Sequence, residues 1–201
     1  MSLPVVVTGA CEGPTDAAVI RRLLEHCGLM AGDLLTSQGK ARLLKRLRGY
    51  NNAARFGTWL VLVDLNSDED CAPPFVHRHL ENPASGMVFR VAVRAVEAWL
   101  LADQDGISDF FRVQRSRVPA SPEAISDPKQ ALAQLAVHSR SRAIREDMAP
   151  RTGSGRKVGP AFTSRVIEFV SHRWSIPEAA MRSPSLGRAV ARLERLEELL
   201  T

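Results

Sequence analysis

Two apolar runs in this chain each end in a single carboxylate, and in the first the carboxylate is followed at once by helix-starting residues. The first is Val5-Val6-Val7-Thr8-Gly9-Ala10-Cys11-Glu12-Gly13-Pro14-Thr15-Asp16, and the second is Leu60-Val61-Leu62-Val63-Asp64-Leu65-Asn66. Short uninterrupted runs of this kind read as buried strands. In a parallel α/β sheet the carboxyl ends of adjacent strands share one edge, so Glu12 and Asp64 are predicted to face each other across a crevice. Two carboxylates at such an edge point to a divalent metal site.

The rest of the first half fits that architecture. Pro4 to Gly9 reads as a strand, and a helix starting at Pro14 or Thr15 sets Ile20, Leu23, Leu24 and Cys27 on one face before Gly28 stops it. A short strand near 33–36 follows, then a basic helix over about 40–55 with Leu43, Leu44 and Leu47 inward, then a strand over 58–63. Pro73-Pro74 opens a short helix, 87–93 alternates as a fourth strand, and 96–102 reads as helical. Alternation of strand and helix predicts an α/β, mostly parallel sheet of about four strands. We place this core at 1–105 and read 106–201 as a basic, mostly helical C-terminal extension packed on it. There, Asp127-Pro128-Lys129 starts one helix, Phe162, Val166, Phe169 and Val170 mark a second, and Ser183-Pro184 opens a third.

Composition narrows the function classes. With 201 residues, 45% of them hydrophobic, the chain can bury a full core. It has no apolar run near the roughly 20 residues that span a bilayer and no secretory h-region, so the expectation is a soluble, cytoplasmic protein with no membrane partner. Three cysteines without CxxC spacing argue against a disulfide framework and a structural zinc site. The net charge of +5 is unevenly placed: residues 1–105 carry a net −1 and residues 106–201 a net +6. A basic half of this kind attracts polyanions, and arginine's planar fork suits phosphate. The competing reading is that 23 Arg against 4 Lys reflects base composition of the gene.

The acids carry the chemistry. Magnesium takes hard oxygen ligands, typically one or two carboxylates completed by water and substrate phosphate, which Glu12 and Asp64 can offer. Glu97 sits among Ala95, Val96, Trp99 and Leu100. A carboxylate in such surroundings is partly desolvated and needs a partner, metal or otherwise. Each acid alone can equally cap a helix or lie in a loop. For the phosphate itself the candidates are Lys129 and the Gly-rich loop over 150–159, which holds Arg156 and Lys157 but lacks the spacing of a P-loop.

Taken in order, Glu12-Gly13-Pro14-Thr15-Asp16, the Asp64 junction, Val96-Glu97-Ala98-Trp99-Leu100-Leu101-Ala102-Asp103, Asp127-Pro128-Lys129, Arg156-Lys157-Val158-Gly159-Pro160 and Ser183-Pro184-Ser185-Leu186 resemble the DUF4276 family of bacterial proteins. The resemblance runs over nearly the whole chain. It implies a TOPRIM-like three-layer fold, in which related domains use a strand-end Glu and an Asp-x-Asp pair with Mg2+ (or Mn2+) to make or break phosphodiester bonds. On that pattern Glu12 matches the glutamate and Asp64 the first aspartate. Asn66 stands where the second aspartate is expected, and its neutral amide is the weaker ligand. Asp68 or Asp70 is the substitute a loop shift would bring in, against the alternative of a solvated acidic loop. Glu97 matches a further acidic position.

The expectation is therefore a Mg2+-dependent nuclease or phosphodiesterase: Glu12, Asp64 and Glu97 catalytic, Glu12, Asp64, Asn66 and Asp68 as the metal set, and Lys129, Arg156 and Lys157 on the nucleic-acid phosphates. The resemblance also implies a partner ATPase and a role in phage defence. The alternative is a non-catalytic nucleic-acid-binding or protein-interaction module in which Asn66 has weakened the metal site. Cys71, His77 and His79 match no common zinc spacing, and no serine or cysteine nucleophile has an evident base. The tryptophans read as core, with Trp174 a lesser candidate for base stacking.

Overall fold

The computed structural model describes residues 5–200, with side chains through 196. Four strands, β1 (Val6–Cys11), β2 (Met30–Thr36), β3 (Thr58–Asp64) and β4 (Met87–Ala92), form one sheet of order β2-β1-β3-β4. Every pairing is parallel. Three helices intervene: α1 (Pro14–His26), α2 (Lys40–Ala53) and α3 (Ala72–His79). Seven more follow β4: α4 (Val96–Leu101), α5 (Gln104–Phe111), α6 (Pro128–Val137), α7 (Arg142–Met148), α8 (Phe162–His172), α9 (Ile176–Arg182) and α10 (Pro184–Leu200).

The sheet divides two apolar layers, which makes the architecture three-layered. On one face Leu43, Leu47 and Tyr50 of α2 and Phe75 of α3 meet Val61, Val63, Phe89 and Val91. On the other, α1 and the C-terminal helices close over Leu60, Leu62, Val88 and Ala92, with Trp99, Phe169, Trp174 and Leu193 in the same cluster. Helices of 106–201 thus share one continuous core with the sheet. Trp174 is 1% exposed, which removes it from base stacking. Among the described residues no helix is long and apolar enough to cross a membrane.

The expected first-half elements are present with shifted ends. β1 runs on to Cys11, so Glu12 directly follows the strand, and Pro4 lies outside the described residues. β2 starts at Met30 rather than near 33, because its first residues pair with Val6 and Val7 of β1. Ala31 and Gly32 have low strand propensity, and pairing with a central strand outweighs it. α5, α7 and α9 were not legible as helices, being only seven or eight residues long. Local caps and packing set two of them: Asp103 accepts the Gly106 N–H ahead of α5, and Ser141 the Ile144 N–H ahead of α7.

β3 and β4 enter the sheet through a close backbone approach. Gly86 donates its N–H to Ala54 O at 3.2 Å and accepts from Trp59 N at 2.9 Å. A Cβ at Gly86 would collide with the carbonyl oxygens of Gly57 and Ala54, which are backbone and cannot swing aside. Gly86→Ala is expected to cost about 2 to 3 kcal/mol, as overpacking against fixed atoms does. Chemical denaturation reads this as a lower midpoint with an unchanged slope.

Candidate active site

The strand order reverses between β1 and β3: β1 connects through α1 to β2 on one side, and the chain then returns to add β3 on the other. In open α/β sheets that switch point leaves a crevice beyond the strands' carboxyl ends. Glu12 and Asp64 emerge there, and the Asp64 N–H donates to Glu12 Oε1 at 3.1 Å. A cleft of about 460 Å³ opens over them. Its lining brings in Asp16 from α1, Asn66 from the loop after β3, Glu97 from α4, and Asp127 and Lys129 from the start of α6.

Each acid is held by backbone. Asp16 lies three residues after Gly13, and its Oδ2 accepts the Gly13 N–H at 2.7 Å in a capping box that opens α1. Asp64 Oδ1 accepts the Val96 N–H at 2.9 Å, so a strand-end carboxylate caps α4, an element 32 residues further on. That bond draws Glu97, the next residue, into the cleft, where it is 6% exposed.

Crowding of like charges in a desolvated cleft is the dominant electrostatic fact. Burial raises all four acids above the ordinary carboxylate range. Asp16 is pushed to about 7, by burial first and then by Glu97 and Glu12. Asp64 is raised well above its usual value by burial, then by Asp16, Glu97 and Glu12. Burial also raises Glu12 and Glu97, offset in part by backbone N–H donors, Asp64's at Glu12 and Glu97's own, and then by Lys40 and Lys129. Among the described lining residues Lys129 is the one cation facing five acids.

Comparison with protein-family models, with curated proteins and with solved structures returned no match.

Of the residues expected from sequence, Glu12, Asp64, Asn66, Glu97 and Lys129 line this one cleft. Asp68 is not among the lining residues: its carboxylate is paired with Lys40 Nζ at 2.5 Å. Lys40 also donates to Leu65 O at 2.9 Å and lies over the Phe75 ring, which pins the loop after β3 to the start of α2. Lys157 is 3.5 Å from Asp127 at the cleft's outer edge, and Arg156 lines a separate small cavity with Arg151. Asn66 adopts a left-handed conformation (φ 54°), as does Arg94 (φ 65°). The two lock together, Asn66 N donating to Arg94 O at 2.7 Å and Arg94 Nη1 to Asn66 O at 3.0 Å.

Sequence reasoning gave no site role to Asp16 or Lys40. Asp16 carried a signal, a carboxylate three residues after a helix-opening Gly-Pro, but that signal announces a cap. Its place in the cleft depends on where α1 lies against α4. Cys11, beside Glu12, is fully buried and burial pushes its thiol up to about 12, so it is no nucleophile.

The donor set can be tested against a divalent cation. Four desolvated carboxylates, with like charges raising one another and one lysine in the lining, make a concentration of hard oxygen donors that a small dication would neutralise. Among the described residues no group of three or more His, Cys, Asp or Glu is placed to hold a metal ion together. The chemistry of the donors fits Mg2+, which keeps several waters and needs only one or two protein carboxylates.

Proposed function

We propose that this cleft is a Mg2+- or Mn2+-dependent phosphodiesterase centre that acts on nucleic acid. The observation that carries the reading is the gathering of Glu12, Asp16, Asp64 and Glu97 at the β1/β3 switch point, with Lys129 at its rim. Glu12 and Asp64 would hold the cation, with Asn66 as a neutral oxygen donor and Glu97 assisting beside them. The bound cation supplies charge neutralisation for the phosphate and a more acidic water.

The chain's own residues do the rest. Lys129, exposed at the first turn of α6, orients a non-bridging phosphate oxygen over the acids. Where Glu12 is not itself a ligand, its carboxylate, with Oε1 engaged by the Asp64 N–H, would exchange a proton with water through Oε2. Asp64 fixes the start of α4 and thereby the position of Glu97. The DUF4276 resemblance supports the same reading and extends it to a TOPRIM-like fold, a partner ATPase and a role against phage.

Cleavage of labelled single- and double-stranded DNA and RNA with Mg2+ or Mn2+ is the test. The expected result is metal-dependent cleavage that EDTA stops and that Asp64→Asn or Glu12→Gln lowers by about 10²-fold or more. Cleavage at wild-type rate in both variants removes the cleft from the mechanism. A second reading, binding without turnover, is favoured by the neutral Asn66 and by the lack of a closed ligand set among the described residues. It expects salt-sensitive nucleic-acid binding that survives EDTA, with no cleavage under any metal.

A further inference from the structure

β4 is an edge strand, and along it runs a set of arginines that the cleft does not use. Arg90 sits at the middle of β4, on the same face as Val88 and Ala92, where α10 packs through Leu186, Ala189 and Leu193. Its Nε is buried and has no hydrogen-bond partner. From α10, Arg188, Arg192 and Arg195 recur at four- and three-residue spacing, which places them along one side of the helix. Burial, followed by the charges of Arg192, Arg195 and Arg188, lowers Arg90 below the ordinary guanidinium value.

The track has two ends. α10 starts beside the carboxyl end of β4, where Ser185 Oγ accepts the Val93 N–H at 3.2 Å. Towards the opposite edge, Arg192 and Arg55 line a cavity of about 270 Å³ with Gly86 and Ser85. Among the described residues none of Arg55, Arg90, Arg188, Arg192 and Arg195 makes an ion pair. Cations held together without counter-charges repel one another, and a desolvated guanidinium N–H without an acceptor costs free energy. Both costs are removed by an anion that spans several arginines.

We propose that the arginine track of α10 and β4 is a binding surface for the phosphate backbone of a nucleic-acid strand, separate from the carboxylate cleft. Guanidinium forks take phosphate oxygens two at a time. Arg188 and Arg192 are about 6 Å apart along the helix axis. A row of guanidinium groups at that interval can follow successive phosphates of one strand. This goes beyond the hydrolytic reading, because binding here needs neither the metal nor the acids.

The experiment is fluorescence anisotropy in EDTA, with a labelled 20-nucleotide single strand and the matching duplex, over a salt series. Wild-type protein is expected to bind with a steep salt dependence. In the triple variant Arg188→Gln, Arg192→Gln, Arg195→Gln, affinity at low salt falls at least about tenfold, and the log–log salt slope shrinks by about 2 to 3. The matching triple Lys variant keeps most of the slope. Should the triple Gln variant melt below wild type, Arg188→Gln and Arg195→Gln singly, both at exposed positions, are each expected to remove about 0.7 to 0.9 of slope.

Equal affinity and slope in wild type and variants overturns the proposal. So does failure of wild type to bind at low salt, or tighter, track-dependent binding of polyglutamate, which would assign the surface to an acidic protein. The two readings fail separately. Track-dependent binding without cleavage sinks the hydrolytic reading alone, and metal-dependent cleavage with affinity and salt slope unchanged in the arginine variants sinks this one alone.

Discussion

Asp16→Asn is expected to make the metal-free protein more stable than wild type at pH 8 and to leave it nearly unchanged at pH 4. The folded-state pKa of Asp16 lies near 7 against an ordinary 3.8, so between about pH 4 and 7 the native state binds more protons than the unfolded chain. Stability therefore falls as pH rises across that window, and the loss is fully present above pH 7. A displacement from 3.8 to about 7 corresponds to at most about 4 kcal/mol. Relaxation of the cleft and entry of water bring the expected gain in the variant to about 1 to 3 kcal/mol. Asparagine, with its amide oxygen turned to the place of Asp16 Oδ2, still accepts the Gly13 N–H, so the α1 cap survives and the charge alone is removed.

Thermal melts of both proteins at pH 4, 6 and 8 in EDTA measure the effect, and pH curves that run parallel would refute it. Under the metal-centre reading, Mg2+ at 100 times its dissociation constant raises wild-type stability at pH 8 by about 2.7 kcal/mol. Its removal by EDTA returns the protein to the lower curve. A wild-type melt that does not respond to Mg2+ or Mn2+ would argue for the non-catalytic reading.

The second large effect lies behind the site. Trp99 is fully buried, and its Nε1 donates to Ser185 Oγ at 2.7 Å. Ser185 Oγ in turn donates to Glu123 Oε1 at 2.7 Å, an oxygen that also accepts from Ser185 N and from Ser183 Oγ. The network ties α4, the end of β4, the turn at Pro122–Ala124 and the start of α10 into one unit. Trp99→Ala is expected to cost about 3 to 5 kcal/mol from the cavity it leaves. Ser185→Ala strips the acceptor from two N–H groups, of Trp99 and Val93, at about 2 to 4 kcal/mol. For a chain of this length such losses lower Tm by roughly 10 °C. Melting within 2 °C of wild type in either variant would show that the network carries little. Because α4 also carries Glu97 into the cleft, Trp99→Ala should weaken any metal response along with stability.

The strand-and-helix order of the first half was legible because its apolar runs are short, β-branched and bounded by Gly, Pro and acid. Such patterning states which face must be buried. The positions of Glu12 and Asp64 at one edge followed from parallel pairing, and the hydrogen bond between Asp64 N and Glu12 shows that they meet there. α7 and α9 were not legible, because their seven residues are mixed in character, whereas the six of α4 form a nearly unbroken apolar run. Asp68 was the substitute a loop shift would bring in for Asn66, yet Lys40, 28 positions earlier, takes it as an ion-pair partner.

By itself the sequence determined the α/β class, the strand-end acids and the basic second half, since hydrophobic period and composition are local quantities. Only the tertiary structure decided that Asp16 and Glu97 join Glu12 and Asp64, that Asp64 caps α4, and that Arg90 meets the arginines of α10. These bring residues up to 105 positions apart within electrostatic reach, as the helices close over the sheet. Burial there turns ordinary surface charges into a crowded acidic cleft at the sheet's carboxyl edge and a row of arginines along β4 without an ion pair among the described residues.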